Sequence, residues 1–423
     1  MLRKIAHWLT KKPMVVLIVA LIALAFSFIG AAATRINYNI LTYLPPDFDS
    51  SKGEKLLEEP FHSAATTMLI VEDMPPEYTN ALCRKIQDVP GVSSALWISS
   101  LTGVQIPKDF LPEEIRDTFF SGNSTMMIIQ YDMPGSSTET MNAIRDIRKI
   151  CNEKCFLAGF SVVIKDTKDL VDSELPFYVL LAVVLSLIVM CATMESWLLP
   201  FAVLGSIGFA IMFNFGTNIF LGEISYITKA IAAVLQLGVT TDCSIFLYHR
   251  YREECERTDN HKDAMAEAIV SSFTALFSSS LTTVAGFLAL CFMQLLLGRD
   301  IGIVMSKGVV ISIATVLMVL PAIILVFDKP IEKYKHKALN IRFNRLTRFI
   351  IKHNKAFVIL FILLFIPALY AQNHAEVYYK LDEALPQDMP SIVATNKLKD
   401  DYNMASSHFV VMRDDLAHYE MLE

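Results

Sequence analysis

Seven long apolar runs constrain this chain more than any other feature. They cover roughly residues 14–33, 175–194, 198–221, 224–248, 271–297, 301–327 and 356–371. A helix needs about 20 mostly apolar residues to cross the hydrocarbon core of a bilayer. Inside that core the backbone must satisfy its own hydrogen bonds, which restricts such runs to helices. The composition agrees: 53% of residues are hydrophobic and 19% charged, far from an ordinary soluble domain. The first run exceeds the apolar region of a secretory signal, and no small-residue cleavage site follows Ala33, so it reads as a retained helix.

Basic residues set the expected orientation. Arg3, Lys4, Lys11 and Lys12 precede the first run. Arg250, Arg252, Arg257 and Lys262 lie between the fourth and fifth, and a larger group from Lys329 to Lys352 lies between the sixth and seventh. An N-terminus inside puts all three groups in the cytoplasm, as the positive-inside rule requires. The expected site is a plasma (inner) membrane crossed several times. The net charge of -6 then says nothing about a partner, and nucleic-acid binding has no support.

The domain plan follows: a cytoplasmic N-terminus and first helix (1–33), an external domain (34–174), helices two to six (175–327), a basic cytoplasmic linker (328–355), a seventh helix (356–372) and the start of a second external domain (373–423). Within 34–174 the pattern reads as strand 66–71, helix 76–88, strand 92–98, strand 124–131, helix 137–152 and strand 156–163, with a small extra helix at 112–120. Pro75-Pro76, Pro90-Gly91 and Pro134-Gly135 punctuate it. That order is the split βαβ, ferredoxin-like unit. The expected fold class is an α-helical membrane bundle with an external α+β ferredoxin-like porter domain, in an incomplete two-repeat transporter.

An internal repeat underlies the last phrase. Leu44-Pro45 followed by Asp47 recurs as Leu385-Pro386 followed by Asp388, an offset of 385 − 44 = 341. Without gaps, Leu57 then meets Leu398, Phe61 meets Tyr402, residues 68–71 meet 409–412, and Asp73 meets Asp414. The first helix overlays the seventh. Repeats in the same orientation are a known transporter architecture, with the site at their interface.

The fourth apolar run carries a carboxylate, Asp242, eight residues before Arg250 and so about 12 Å from the inner interface. An ionised group at that depth is costly, and the default inference is function. A carboxyl there can take up and release a proton. Gln236, Thr240, Thr241, Cys243 and Ser244 are the neighbours expected to orient it or hold water. Lys229 and Lys307 are the lysines well inside apolar runs, but Lys229 lies thirteen residues from Asp242, roughly 20 Å along the axis. Both are expected to snorkel outward, toward Glu223, leaving Asp242 to water, hydroxyls or a group outside this chain.

At these residues the sequence resembles a known family. Gly238, Asp242, Phe246 and the run Arg250-Tyr251-Arg252-Glu253-Glu254 are similar to the helix-four signature of the mycobacterial membrane protein large (MMPL) family, within the resistance-nodulation-division superfamily. The resemblance extends to the helix order, the inserted domain and the duplication. It implies twelve helices in two halves, a transporter rather than an enzyme, and proton-driven export of lipids or other hydrophobic molecules. It also implies Asp242 as the proton-relay carboxylate. Two departures stand out: the family's Tyr after the Asp is Cys243 here, and helices eight to twelve are absent. A single Asp resembles the lipid-exporting branch more than the multidrug pumps. The chain is accordingly expected to be inactive alone and to work with a missing second half or a partner chain, a homo-oligomer included.

Other features carry less. Ser278, Ser279, Ser280, Thr282 and Thr283 suit helix packing, or line a proton path beside Asp242. Asn214 and Asn218 share a face of the third helix, and residues 249–268 read as a charged cytoplasmic surface helix. Three of the seven cysteines, Cys83, Cys151 and Cys155, fall in the external domain, where Cys151 and Cys155 could bridge. No metal, nucleophile, dinucleotide or phosphate-loop motif is visible, so no cofactor is expected. Two other functions fit the same fold: a sterol- or lipid-sensing protein, and an auxiliary of protein secretion. A protonatable group in the second half separates pump from sensor, and the Arg-Tyr-Arg-Glu-Glu end speaks against the secretion branch.

Overall fold

The computed structural model describes residues 2–58, 65–99, 110–336, 344–375 and 385–404. The repeat expected to pair residues 68–71 with 409–412, Phe61 with Tyr402 and Asp73 with Asp414 reaches outside them at 409–412, Phe61 and Asp414.

Among the described residues, seven helices are long and apolar enough to cross a membrane: α2 (Pro13–Ala33), α7 (Phe160–Thr193), α8 (Leu199–Gly216, prolonged by a 3₁₀ turn to Leu221), α9 (Tyr226–Cys255), α10 (His261–Leu290), α11 (Leu296–Val326) and α14 (Asn354–Asn373). A short amphipathic helix, α1 (Leu2–Lys11), precedes them and packs on α10 and α11. The helix α11 is the axis of the bundle, touching α2, α8, α9 and α10. Small residues let neighbouring backbones approach. A Cβ on Gly30 of α2 would stand 2.2 Å from the Gly216 carbonyl of α8, so that crossing admits only glycine. By contrast, α14 buries none of its residues, and its main contact among the described residues is with α13 (Asn344–Lys352).

Between α2 and α7 lies the inserted domain. Its elements are α3 (Asp49–Glu58), β2 (Thr66–Glu72), α4 (Pro76–Gln87), β3 (Val92–Leu96), α5 (Glu113–Phe119), β4 (Phe120–Ser121), β5 (Ser124–Tyr131), α6 (Thr138–Ile150) and β6 (Cys155–Ala158). The strand order is β3-β5-β2-β6, with β4 on β5. Every neighbouring pair is antiparallel, with Thr66 opposite Gln130 and Met68 opposite Ala158. That is the strand arrangement of a split βαβ unit. Leu69, Met127, Ile129, Ile144 and Ile147 fill the core between its sheet and helices. Outside it, β1 (Arg35–Asn37) and β7 (Glu223–Ser225) form a short parallel pair that ties the end of α2 to the start of α9.

One sequence boundary is corrected. Residues 160–163 are not strand. β6 stops at Ala158, Gly159 takes φ 125°, and α7 then runs for 34 residues into the second span. The charges that broke the apolar run do not break the helix, because they pair one turn apart: Lys165 with Asp169 and Lys168 with Asp172.

The segment after α14 docks on the inserted domain. α15 (Pro390–Tyr402) covers the sheet face around Ile70, Met126 and Ala158 with Ala394, Leu398 and Tyr402. The Asp166 carboxylate, paired with Arg148, accepts from the Ser391 amide at 3.0 Å, and the Lys397 ammonium pairs with Glu72. The two segments also share a turn at the 341 offset: Phe48 N to Pro45 O at 3.2 Å and Met389 N to Pro386 O at 3.1 Å.

All seven cysteines are free thiols. Cys151 and Cys155 face one another at the end of α6. A hydrogen bond from Cys151 lowers the Cys155 thiol to about 7, and the same contact pushes Cys151 up.

Candidate functional site

The site is built on α9. Ser225 caps the helix by accepting from the Ile227 amide. Asp300 of α11 accepts from the Ser225 amide at 2.8 Å and from the Thr228 hydroxyl, pinning the start of α9 to α11.

From there one face of α9 turns inward at i, i+4 spacing: Thr228, Ala232, Gln236, Thr240 and Ser244 are buried, and Tyr248 follows. Gln236 is the centre of a polar seam. Its amide nitrogen donates to the Ala210 carbonyl at 3.0 Å, the Gly308 carbonyl at 3.3 Å and the Ser312 hydroxyl at 3.1 Å, and its oxygen accepts from Asn214 at 3.0 Å. Thr240 reaches Ser312 at 2.8 Å and the Gln236 carbonyl at 2.6 Å, and Ser244 reaches the Thr240 carbonyl at 2.7 Å. These groups hold α8, α9 and α11 together.

Asp242 is on the other flank. It follows Thr240 and precedes Ser244 by two residues each, and two helical residues subtend about 200°. Its side chain is exposed and has no hydrogen-bond or ionic partner among the described residues. It shares this flank with Gly238, where an added Cβ would meet nothing within 4 Å, and with the exposed Leu235. The expected shell around Asp242 therefore needs correction. Gln236, Thr240 and Ser244 bond away from it because their azimuth faces α8 and α11. Thr241 bonds back to the Leu237 carbonyl at 2.7 Å, and Cys243 packs half-buried against the bundle core. Ser278, Ser279 and Thr282 of α10 are likewise exposed, and Ser280 alone of that group is buried.

The lysine expectation also changes. Lys307 does not snorkel. Its ammonium turns inward to the Asn214 carbonyl at 3.0 Å and the Asn218 side-chain oxygen. The end of α8 leaves carbonyls without helical donors there, and the lysine supplies one. Asn214 and Asn218 are both fully buried. Lys229 is half-buried and bonds to neither Glu223 nor Asp242 among the described residues.

At the other end of α9, the signature residues take separate jobs. The Arg250 guanidinium lies 5.7 Å from the Phe246 ring centre and 2.7 Å from Glu253. Arg252 binds Glu195 at 2.8 Å, tying α9 to the turn after α7. Glu254 pairs with Arg257 at 3.1 Å. The Tyr251 hydroxyl meets His261 Nδ1 at 3.2 Å and donates to Asp328 at 3.3 Å, while His261 and Asp328 approach to 2.8 Å. That cluster joins α9, α10 and α12 (Asp328–Lys333) beside a cavity of about 260 Å³. It shows that residues 249–268 are not one surface helix: α9 ends at Cys255, α10 starts at His261, and Ala264, Met265, Ala268 and Ile269 are buried. The sequence hint was Tyr251 itself, one helical turn beyond the apolar run and in line with Ser244 and Tyr248. No group of three or more metal-capable side chains comes together among the described residues.

A bundle of helices able to span a membrane, an inserted antiparallel sheet domain and, on the fourth span, a carboxylate without a partner among the described residues define the class, a membrane protein of several spanning helices. The matching family model is the MMPL family, over residues 57–356, and the chain belongs to that family. Its relatives fall into two sizes. A membrane protein of Methanocaldococcus jannaschii is 23% identical over 372 residues, covering 78% of this chain and 95% of that protein. The mycolic acid-containing lipids exporter MmpL11 of Mycolicibacterium smegmatis is 25% identical over 190 residues, 41% of this chain and 20% of its own length. The heme uptake protein MmpL11 of Mycobacterium tuberculosis matches to the same extent, 25% over 188 residues. Among the other relatives the chain spans between about a fifth and two fifths of their length.

Proposed function

We propose that the chain supplies the first half of a proton-motive-force-driven exporter of lipids or other hydrophobic molecules across the plasma membrane. In this reading the first half is followed by the start of the second, and Asp242 is the group that carries the proton. The observation behind this is the placement of Asp242: an unpartnered carboxylate on the open flank of a spanning helix, within the family signature. A charge there is costly in a membrane unless a second half or water meets it. Protonation from the outer side removes that charge and lets the bundle shift, and release to the cytoplasm restores it. The repeat, with its shared turn, supports a partner half docked on this flank, as in transporters whose site lies between repeats. The docked helix α15 supports a second porter domain beside the first. The lipid substrate class is favoured by the M. smegmatis relative, a mycolic acid-containing lipids exporter.

The test is Asp242→Asn in the complete transporter, scored by lipid export with and without a protonophore. Export that is lost in the variant, at wild-type levels of folded protein, supports the relay. Export that persists in Asp242→Asn removes it.

A further inference from the structure

The proton-relay reading leaves the N-terminal helix without a task, although two cavities meet there. Along α1, Ala6, Leu9 and Thr10 are buried, while Arg3, Lys4 and Lys11 are exposed on the other side. Arg3 is neutralised by Glu267 at 2.7 Å, and His7 lies 3.6 Å from Asp263 and 3.8 Å from Glu267. Lys4 and Lys11 have no partner among the described residues. Both line an open cup of about 620 Å³ with Trp8 and Asp263. Trp8 also lines a second cavity, an apolar groove of about 460 Å³ between α2, α8 and α11 that is walled by Val15, Val19, Ala23, Ala314 and Met318.

The two cavities together have the form of one amphiphile. The groove extends along α2 from Val15 to Ser27, twelve residues or about 18 Å. Half of a ~30 Å hydrocarbon core is about 15 Å, so the groove is as deep as one leaflet. Its apolar end takes a hydrocarbon tail. Its mouth presents two unneutralised ammonium groups. Trp8, whose ring has an apolar body and a polar edge, stands at the junction, the depth that tryptophan favours in bilayers. A free tail-less anion would leave the groove empty, and an uncharged lipid would leave the two lysines without a counterion.

We propose that this is a binding site for an anionic diacyl phospholipid, with one acyl tail in the groove and the phosphate held by Lys4 and Lys11. The orientation reading above puts that lipid in the cytoplasmic leaflet; the binding itself does not depend on Asp242. Each basic side chain near an anionic lipid surface contributes about fivefold in affinity, so the pair contributes roughly 25-fold.

The test uses the full chain in detergent, titrated with phosphatidylglycerol or phosphatidylcholine and read by native mass spectrometry. Wild type is expected to retain phosphatidylglycerol in preference to phosphatidylcholine. Lys4→Gln/Lys11→Gln, a change confined to exposed side chains, should weaken phosphatidylglycerol roughly 25-fold and leave phosphatidylcholine unchanged. Lys333→Gln removes a basic residue elsewhere and should bind as wild type. Filling the groove with Ala23→Phe/Ala314→Phe should weaken both lipids, and inorganic phosphate should fail to displace either. Asp242→Asn should bind phosphatidylglycerol normally, which separates this site from the relay. Equal retention of the two lipids by wild type overturns the proposal, as does a double-lysine variant that matches Lys333→Gln. Displacement by millimolar phosphate overturns it too, by assigning the cup to a soluble anion.

Discussion

The two faces of α9 are built from similar side chains and do opposite things. On the inner face, Gln236, Thr240 and Ser244 are buried and nearly all their polar atoms are used within the chain. On the outer flank Asp242 has no hydrogen-bond or ionic partner among the described residues, and a Cβ on Gly238 would meet nothing within 4 Å. In hydrocarbon an unsatisfied polar group costs several kcal/mol, so the inner face is what a stable bundle requires. The outer flank is what a bundle awaiting contact with another surface would present. Polar residues a few positions apart thus separate by azimuth alone into a bonded seam and an open flank.

Four substitutions can break or sharpen this contrast. Asp242→Asn has the largest expected effect, loss of proton-coupled export with no change in thermal stability, checked by transport assay and by unfolding in detergent. Next is Gln236→Leu. It removes the seam's centre and strands the Asn214 amide, at a cost of about 2 kcal/mol. That lowers the unfolding temperature, while activity per folded molecule is retained. Gly308→Ala should come third. Its Cβ would sit 2.7 Å from the Asn214 side-chain nitrogen, an overpacking that costs about 1–3 kcal/mol. Gly238→Ala is the matched control on the outer flank, where the Cβ has open space. It should be neutral or stabilising by up to ~1 kcal/mol. A destabilised Gly238→Ala or a neutral Gly308→Ala would erase the distinction between the faces.

Much of the fold was legible from apolar runs, because a membrane admits so few backbone solutions. The seven spans and the order of strands and helices in the inserted domain came from that and from its turn residues. The second span was read too short, since Lys165, Asp166, Lys168, Asp169 and Asp172 hide a helix that continues through them. The signature residue Asp242 stood out as a charge in an apolar run. Its surroundings were misjudged, since neighbours in sequence are not neighbours in azimuth. Thr240 and Ser244 lie about 200° away, and that angle was available without a structure. The turn inward of Lys307 to Asn214 and Asn218, and the Tyr251, His261 and Asp328 cluster, depend on contacts between helices far apart in the chain. Beyond the position of Tyr251 in line with Ser244 and Tyr248, no local pattern encodes them.

The central claim is that the outer flank of α9 moves protons and the inner face does not. Proton flux into vesicles holding the complete transporter, driven by an imposed pH gradient and normalised to folded protein, tests it most directly. The account predicts flux from wild type and from Gln236→Leu, and none from Asp242→Asn. Equal flux from wild type and Asp242→Asn, or a loss confined to Gln236→Leu, would contradict it.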